Sequence, residues 1–265
     1  MNLFQMLIAR KLSCGGGGNP SLGSKYITAN GTYEASDDNL DGYDEVTVNV
    51  PDTAYALLNK TIKEVILPNT ATTLVDSLFR DCSQLSDVTF EEPSQITSIG
   101  NACFQNCSSL NNVVIPSSVS TYGQAIFQGC LSLSDVEIPS NITKIYGHMF
   151  YGCYSLASFT IPTSVTEIKT FAFNGCNTLS SIKIPLNVVK IENNAFNGCC
   201  YLTLIDCTEL TETNGAVNTT LENVNAFYNG SNNRQFVFVD ETTMNAYKNA
   251  TNWSNYASEM TYVGA

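Results

Sequence analysis

Residues 127–149 read FQGCLSLSDVEIPSNITKIYGHM, and versions of this 23-residue stretch recur along most of the chain. A phenylalanine opens each copy at a spacing of 23, and one further phenylalanine precedes them at a spacing of 25: Phe79, Phe104, Phe127, Phe150, Phe173 and Phe196. Three residues after each comes a cysteine, namely Cys82, Cys107, Cys130, Cys153, Cys176 and Cys199. Three further on comes a leucine, from Leu85 to Leu202. Such a repeat is typical of a solenoid, in which stacked coils bury a face that one coil cannot bury alone.

Each copy continues with a short alternation of apolar and polar residues, which predicts a strand. Its inward positions are Val88/Phe90, Val113/Ile115, Val136/Ile138, Phe159/Ile161, Ile182/Ile184 and Ile205/Cys207. A proline closes four of these strands, because it has no N–H to continue a ladder. A second apolar pair follows, as in Ile142/Ile145. Successive strands should pair about 4.8 Å apart, so each slot becomes a ladder of like residues along the stack.

The repeat divides the chain into four predicted parts. Residues 1–24 are a leader with a glycine-rich linker, 25–55 a small β module, 56–240 the repeats, and 241–265 a C-terminal cap. The repeats keep their register past an insertion at 211–218 and end near Phe238, about eight rungs in all, which makes a stack about 35–40 Å long. In the cap, a helical pattern carries Met244, Tyr247, Trp253 and Tyr256, which we interpret as packing residues that cover the open end.

The pattern Phe-x-x-Cys-x-x-Leu-x-x-Val-x-Ile-Pro-x-x-Val-x-x-Ile resembles the BspA-like, bacterial surface-antigen type of leucine-rich repeat. The resemblance covers about residues 60–265, including the tail from Phe238 through Trp253. It implies a mainly β fold, a right-handed leucine-rich-repeat solenoid of about eight 23-residue rungs with a small N-terminal β module and a C-terminal helical cap. It also implies binding to proteins or cell surfaces, and it supplies no catalytic residues.

The N-terminal fifty residues resemble a different group. Residues 27–33, ITANGTY, and 42–51, GYDEVTVNVP, are similar to a β module near the start of phage and prophage tail proteins. Asn30-Gly31 is a strong tight-turn signal. This second resemblance implies a virion-associated role.

Composition excludes some partners. The net charge is −12, and only three arginines occur, Arg10, Arg80 and Arg234. A phosphate-backbone binder needs clustered Lys and Arg, so we expect no nucleic-acid partner.

No run of 18 apolar residues occurs, and we expect no membrane insertion. The N-terminal apolar stretch has its basic residues after it, the wrong order for a standard signal peptide, so we expect a virion-associated or an extracellular, cell-surface location.

The chemistry-bearing residues favour structure over catalysis. Like Cα atoms on neighbouring rungs should lie within disulfide range, but ladder side chains point the same way, so we predict free buried thiols. A zinc site needs four converging ligands, which a linear ladder does not supply. His148 is the one histidine, with no second base or ligand to accompany it, and we interpret it as a surface or inter-rung residue. We therefore expect no enzyme activity, no catalytic residue and no cofactor.

One acidic stretch is a weak calcium candidate. Asp37, Asn39 and Asp41 followed by Gly42 match the first half of a calcium loop. Val48 stands where the loop needs a glutamate. The same letters are ordinary turn chemistry between strands, and that alternative stays open.

The outward residues of the first strands form the candidate binding surface. They are short, polar and carry few charges, which suits a flat hydrogen-bonding surface for glycans or extended proteins: Asp87, Asn112, Asp135, Ser158 and Ser181, with Thr89, Val114, Glu137, Thr160 and Lys183. They could equally be ordinary solvent-facing residues of a sheet. The asparagine-rich segment 214–233 with Tyr228 is the alternative contact loop.

Two functions follow as hypotheses. The first is a non-enzymatic repeat array in a phage or prophage tail-associated protein that contacts a host surface. The alternative is a bacterial cell-surface adhesin or scaffold that binds a host protein or glycan. The oligomeric state and the identity of the partner do not follow from these patterns.

Overall fold

The computed structural model describes residues 7–9, 45–49, 63–67, 69, 71–213, 215–228 and 234–263. The described chain is mainly β and forms a solenoid of about eight turns, as the repeat predicts. Each turn contributes two short strands joined by tight turns, because apolar residues alternate over only four or five positions before a proline or a polar turn intervenes. The repeats therefore build a core that runs along the whole stack.

The first strand of each turn lies in what we call the front sheet. Its strands are Glu64–Leu67, Asp87–Phe90, Asn112–Val114, Asp135–Glu137, Ser181–Lys183, Leu204–Cys207 and Gln235–Phe238. Most neighbouring strands pair in parallel with like positions opposite each other, as Val113 pairs with Val136 and Ile182 with Ile205. Asp87–Phe90 and Asn112–Val114 are adjacent without forming a regular ladder. The backbone of Glu45–Asn49 extends this sheet in parallel beside Glu64–Leu67, and Leu7–Ala9 pairs antiparallel to it.

The second strand of each turn forms the side sheet. These strands are only two residues long: Thr73–Leu74, Ser98–Ile99, Thr121–Tyr122, Lys144–Ile145, Glu167–Ile168, Lys190–Ile191 and Thr220–Leu221. The first three and the last four form two parallel ladders, the second with Ile145 opposite Ile168 and Ile168 opposite Ile191. A hairpin in the insertion, Glu212–Thr213 with Ala216–Val217, is antiparallel.

The front sheet is interrupted at one turn where the alternation predicted a strand. Residues 157–161 have no regular strand geometry, and Phe159 is only half-buried. Its ring packs against both Phe150 of its own turn and Phe173 of the next, at centroid distances of 5.0 Å each. We attribute the interruption to this ring, which packs between two turns, while Ser180 still donates to the carbonyl of Ala157 at 3.4 Å in the register of the other turns.

The third side of each turn is a hydrogen-bonded ladder that the sequence pattern did not predict. Around each repeat phenylalanine, alternate amides donate to carbonyls of the next turn: Ala125 to Gly147 at 2.9 Å, Phe127 to Met149 at 3.0 Å and Gly129 to Tyr151 at 2.8 Å. The same bonds recur in neighbouring turns. We call the residues at 101–109, 124–132, 147–155, 170–178 and 193–201 the turn face.

Two positions on this side have positive φ in six successive turns, two residues before and two residues after the phenylalanine. The second position holds Gly129, Gly152, Gly175 and Gly198, with φ of 70–73°. Glycine suits this region because it has no Cβ to clash with the backbone. The first position instead holds larger residues, including His148 at 57° and Phe171 at 58°.

The core is organised as ladders, as predicted. The six repeat phenylalanines and Phe227 stack face to face, with centroids 4.9–5.8 Å apart and planes within 18° of parallel. The cysteine ladder lies beside them, and each thiol from Cys107 to Cys199 donates to the carbonyl of the phenylalanine one turn earlier, as Cys130 does to Phe104 at 3.1 Å. A buried thiol thus satisfies a buried carbonyl, which explains how cysteine suits this position.

The cap covers the last turn and replaces the partners that a further turn would supply. It consists of a helix, Glu241–Asn249, a 3₁₀ helix, Trp253–Glu259, and a strand, Met260–Tyr262, which pairs with Gln235–Phe238. The strand is an addition to the helical cap that the sequence predicted. In earlier turns the phenylalanine amide donates to the next turn, whereas Phe227 donates to the hydroxyl of Tyr256 at 3.2 Å. Trp253 Nε1 likewise donates to the carbonyl of Thr219 at 2.9 Å.

All four aromatic and sulfur-containing residues assigned to packing in the cap are buried: Met244, Tyr247, Trp253 and Tyr256. The part of the chain that the structure describes holds no helix long and apolar enough to cross a membrane. The calcium candidates Asp37, Asn39 and Asp41, and most of the predicted β module, lie outside the described residues.

Candidate binding faces

The ten residues proposed for binding lie on the front sheet, side by side along the stack. Nine are exposed and Asp87 is half-buried. Their spacing follows the strand register, since Asn112 lies opposite Asp135 and Val114 opposite Glu137. Ser158 and Thr160 are exposed within the interrupted turn, where no regular strand holds them. The structure therefore brings the predicted ladders onto one face, with a break in the middle.

This face is more charged than the sequence analysis described. Three of the ten residues are acidic and one is basic, and Glu64 adds a further exposed carboxylate at the N-terminal edge. Lys183 pairs with Glu209 at 2.8 Å, and both side chains are well exposed. The front sheet thus favours partners that offer hydrogen-bond donors or positive charge.

The alternative contact segment, 214–233, lies partly outside the described residues. Within its described portion, Tyr228 is 55% exposed. Its carbonyl accepts from the amide of Gly198 at 2.7 Å, which continues the ladder of the third side. Tyr228 thus belongs to the last turn of that ladder, which fixes its backbone.

The side sheet carries a network of alternating lysines and glutamates over its C-terminal half. Lys169 lies between Glu167 and Glu192, 2.7 Å from a carboxylate oxygen of Glu192. Lys144 pairs with Glu167 at 3.0 Å, and Lys190 pairs with both Glu192 and Glu222. Burial alone would raise the pKa of Glu192, but hydrogen bonds from Lys169 and Thr170 outweigh it and lower that pKa to about 2. The network joins four turns, and each of its lysines pairs with at least one of its glutamates, which suits a stabilising role.

Acid should weaken the stack through Glu192. Because its pKa is depressed in the folded state, the carboxylate stabilises the fold above its unfolded pKa of 4.5 and loses that effect as the pH falls toward 2. Between about pH 6 and about pH 3.5, the free energy of unfolding should fall by about 1 kcal/mol more in the wild type than in Glu192→Gln. Urea unfolding at the two pH values measures this difference. Glu137→Gln on the front sheet is the control, and an equal effect there would contradict the assignment.

The turn face holds a cluster of aromatic rings that sequence reasoning missed. The imidazole of His148 lies 5.0 Å from the ring of Phe171 and 5.8 Å from that of Tyr151. Tyr151 and Phe171 are 6.3 Å apart, edge to face. Of these three rings, only that of Tyr151 directly follows a repeat phenylalanine. Phe171 belongs to the next turn, so the stacking of turns brings the three rings together. The signal that could have found it is the replacement of small or amide residues at these repeat positions by rings.

None of the described groups has the arrangement of a catalytic site. Burial raises the pKa of the ladder thiols, to about 12 at Cys199, so they are protonated at neutral pH. None of the nine described cysteines forms a disulfide, and eight of them are buried, with Cys200 exposed. Burial also lowers the pKa of His148, which is therefore uncharged at neutral pH. Among the described residues, no three His, Cys, Asp or Glu side chains converge as metal ligands.

Stacked turns with two parallel strands each, a repeated leucine and exposed ladders define a leucine-rich-repeat solenoid. The profile of the BspA type leucine-rich repeat region, six copies, matches overlapping segments 50–176, 91–203 and 143–257. The chain therefore belongs to the BspA type leucine-rich repeat family. No curated protein matches its sequence significantly.

Solved structures of bacterial repeat proteins are similar to this chain. A leucine-rich repeat protein of T. pallidum is 27% identical with a TM-score of 0.52, over 62% of this chain and 74% of that one. A leucine-rich cell surface protein of Faecalibacterium prausnitzii is 24% identical with a TM-score of 0.36, over 54% and 59%. A leucine-rich repeat protein of Bacteroides ovatus is 19% identical with a TM-score of 0.45, over 67% and 55%. The T. pallidum structure supports the same fold.

Proposed function

We propose that the protein is a non-enzymatic repeat-array binding module that contacts a protein or glycan on a cell surface through its front sheet. The observation that carries the proposal is the exposure of the two outward ladders over successive turns, in which nine of the ten residues are exposed. Leucine-rich repeats generally mediate contacts between proteins, and an extended sheet face offers many weak contacts along a line. Asp135 and Glu137 supply acceptors near its centre, and Val114 supplies an exposed apolar contact. Calcium does not enter the proposal.

Binding to intact cells tests this function directly. Fluorescently labelled full chain is expected to bind intact epithelial cells or intact bacteria saturably, and excess unlabelled chain should compete. Val114→Glu with Thr160→Glu places two carboxylates at the centre of the front sheet and should weaken binding about tenfold or more through lost contact and desolvation. Thr121→Glu, exposed on the side sheet, is the matched control. Absence of saturable binding to both kinds of cell would overturn the proposal.

A second candidate is a phage or prophage tail-associated protein. Its support is the likeness of residues 27–33 and 42–51 to tail-protein modules, and the comparisons with known proteins add nothing to it. Mass spectrometry of phage-like particles purified from the producing culture decides between the candidates. A fixed ratio to tail proteins supports the virion role, whereas recovery in the cell-envelope fraction alone supports the surface adhesin. The divisions at residues 24, 55 and 240 stay predictions.

A further inference from the structure

The turn face carries no charged residue. Its five segments, 101–109, 124–132, 147–155, 170–178 and 193–201, contain no Asp, Glu, Lys or Arg, although 14% of the whole chain is charged. The other two sides of the solenoid differ, since the front sheet carries exposed carboxylates and the side sheet the lysine–glutamate network. In a chain with a net charge of −12, five successive turns of this side are electrically neutral, whereas its first turn, at 76–84, carries Asp76, Arg80 and Asp81.

The exposed rings on this side exceed what the repeat needs. Tyr151 and Tyr154 are 38% and 50% exposed, and the equivalent positions of the next turn hold Asn174 and Asn177. Phe171 takes a position with φ of 58° where two other turns have alanine. The same position has positive φ in six turns and accepts residues as small as alanine, so the repeat does not require a ring there. The fold would therefore form without these rings.

The glycine backbone beside the rings already has hydrogen-bond partners for its amides. The ring of Tyr154 lies 3.9 Å from the positions that a Cβ would occupy on Gly152 and on Gly175, so it rests over both glycines. The amides of Gly152 and Gly175 each donate to the next turn at 2.8 Å. A ligand here must therefore bond to side chains. Asn174 offers a donor and an acceptor, and Asn177 offers an acceptor, because its amide group donates to the carbonyl of Gly198 at 2.8 Å.

We propose that the part of the turn face around Tyr151 and Tyr154 is a second binding site, separate from the front sheet, and that it takes an uncharged polysaccharide. The apolar faces of its sugar rings stack on Tyr151 and Tyr154, and its hydroxyls bond to Asn174 and Asn177. Aromatic rings with a polar tip suit a ligand that is apolar on one side and hydroxylated at its rim. A polyanion would require Lys or Arg. Protein interfaces are enriched in tyrosine as well, so a contact between copies of the chain is the competing occupant that the experiment tests.

Affinity electrophoresis and calorimetry of the full chain with neutral polysaccharides test the site. The probes are a β-glucan, a mannan and a galactan, with polygalacturonate as the charged control. The wild type should bind at least one neutral polymer and not polygalacturonate. Tyr151→Asn with Tyr154→Asn copies the residues of the next turn, so the fold should persist, and binding should weaken about tenfold or more. Tyr201→Ser, on the same side but copying Ser155, is the matched control and should bind as the wild type does.

Three results would overturn this site. The first is no binding of the wild type to any of the neutral polymers. The second is unchanged polysaccharide binding in the double variant, or its loss in the front-sheet variant Val114→Glu with Thr160→Glu. The third is a dimer in sedimentation velocity that the Tyr151→Asn with Tyr154→Asn change dissociates, which would make the face a contact between copies of the chain. In each case, cell binding through the front sheet remains a separate result, so the two proposals fail independently.

Discussion

Leu156→Asp is expected to abolish or nearly abolish the folded state at room temperature. Leu156 has no exposed surface and lies in the leucine ladder at the centre of the stack. An aspartate there must lose its hydration with no cation or donor to compensate, at a cost of several kcal/mol, which is on the order of the total stability of about 5–15 kcal/mol. Urea unfolding followed by circular dichroism measures the loss.

The control for this change lies two residues away. Ser158 is exposed on the front side of the same turn, so Ser158→Asp should alter the free energy of unfolding by about 0.5 kcal/mol or less. Similar losses in both variants would show that the inward and outward assignment of this turn is wrong.

Arg234→Met is expected to cost about 3–5 kcal/mol, because it leaves a buried carboxylate without its cation. The Arg234 and Glu259 side chains are 3% and 6% exposed, and their two hydrogen bonds measure 2.8 and 3.0 Å. Arg234 also donates to the carbonyl of Phe227, where the ladder thiol of a further turn would otherwise bond. The guanidinium lies 5.2 Å from the centre of the Tyr256 ring. Removing it therefore loosens the cap and the end of the stack together.

A double variant separates the lost pair from the lost packing. Arg234→Met with Glu259→Met removes both buried charges, and it should be more stable than Arg234→Met alone. Lys183→Met breaks the exposed pair with Glu209 and should change stability little, since solvent screens such pairs. Thermal unfolding of the four proteins provides the comparison. A single variant as stable as the wild type would mean that the pair does not hold the cap.

The repeat spacing predicted the solenoid, its inward slots and its approximate length because each slot contacts its own copy one turn away. A residue such as Leu156 therefore has the same neighbours as Leu133 and Leu179, and one pattern describes them all. The outward ladders on the front sheet followed from the same alternation. Their role in binding stays a proposal, because exposure alone does not select a partner.

The end of the stack was predicted only in outline. Burial of Trp253 and Tyr256 followed from their type and their position after the last repeat. Their hydrogen bonds to the final turn did not, because these bonds depend on which backbone groups the missing next turn leaves open. The buried pair of Arg234 and Glu259 joins residues 25 positions apart with no repeat to signal it.

The sequence by itself determined the class of fold, since a 23-residue period with apolar slots can bury its face only by stacking. The tertiary structure decided what the outer sides carry. It placed Phe171 beside His148 and Tyr151, although a full turn of chain lies between them. It also gathered separate uncharged segments onto one side, away from the carboxylates of the front sheet. Periodicity specifies contacts between like positions, whereas a binding face is built from the unlike residues that stacking brings together.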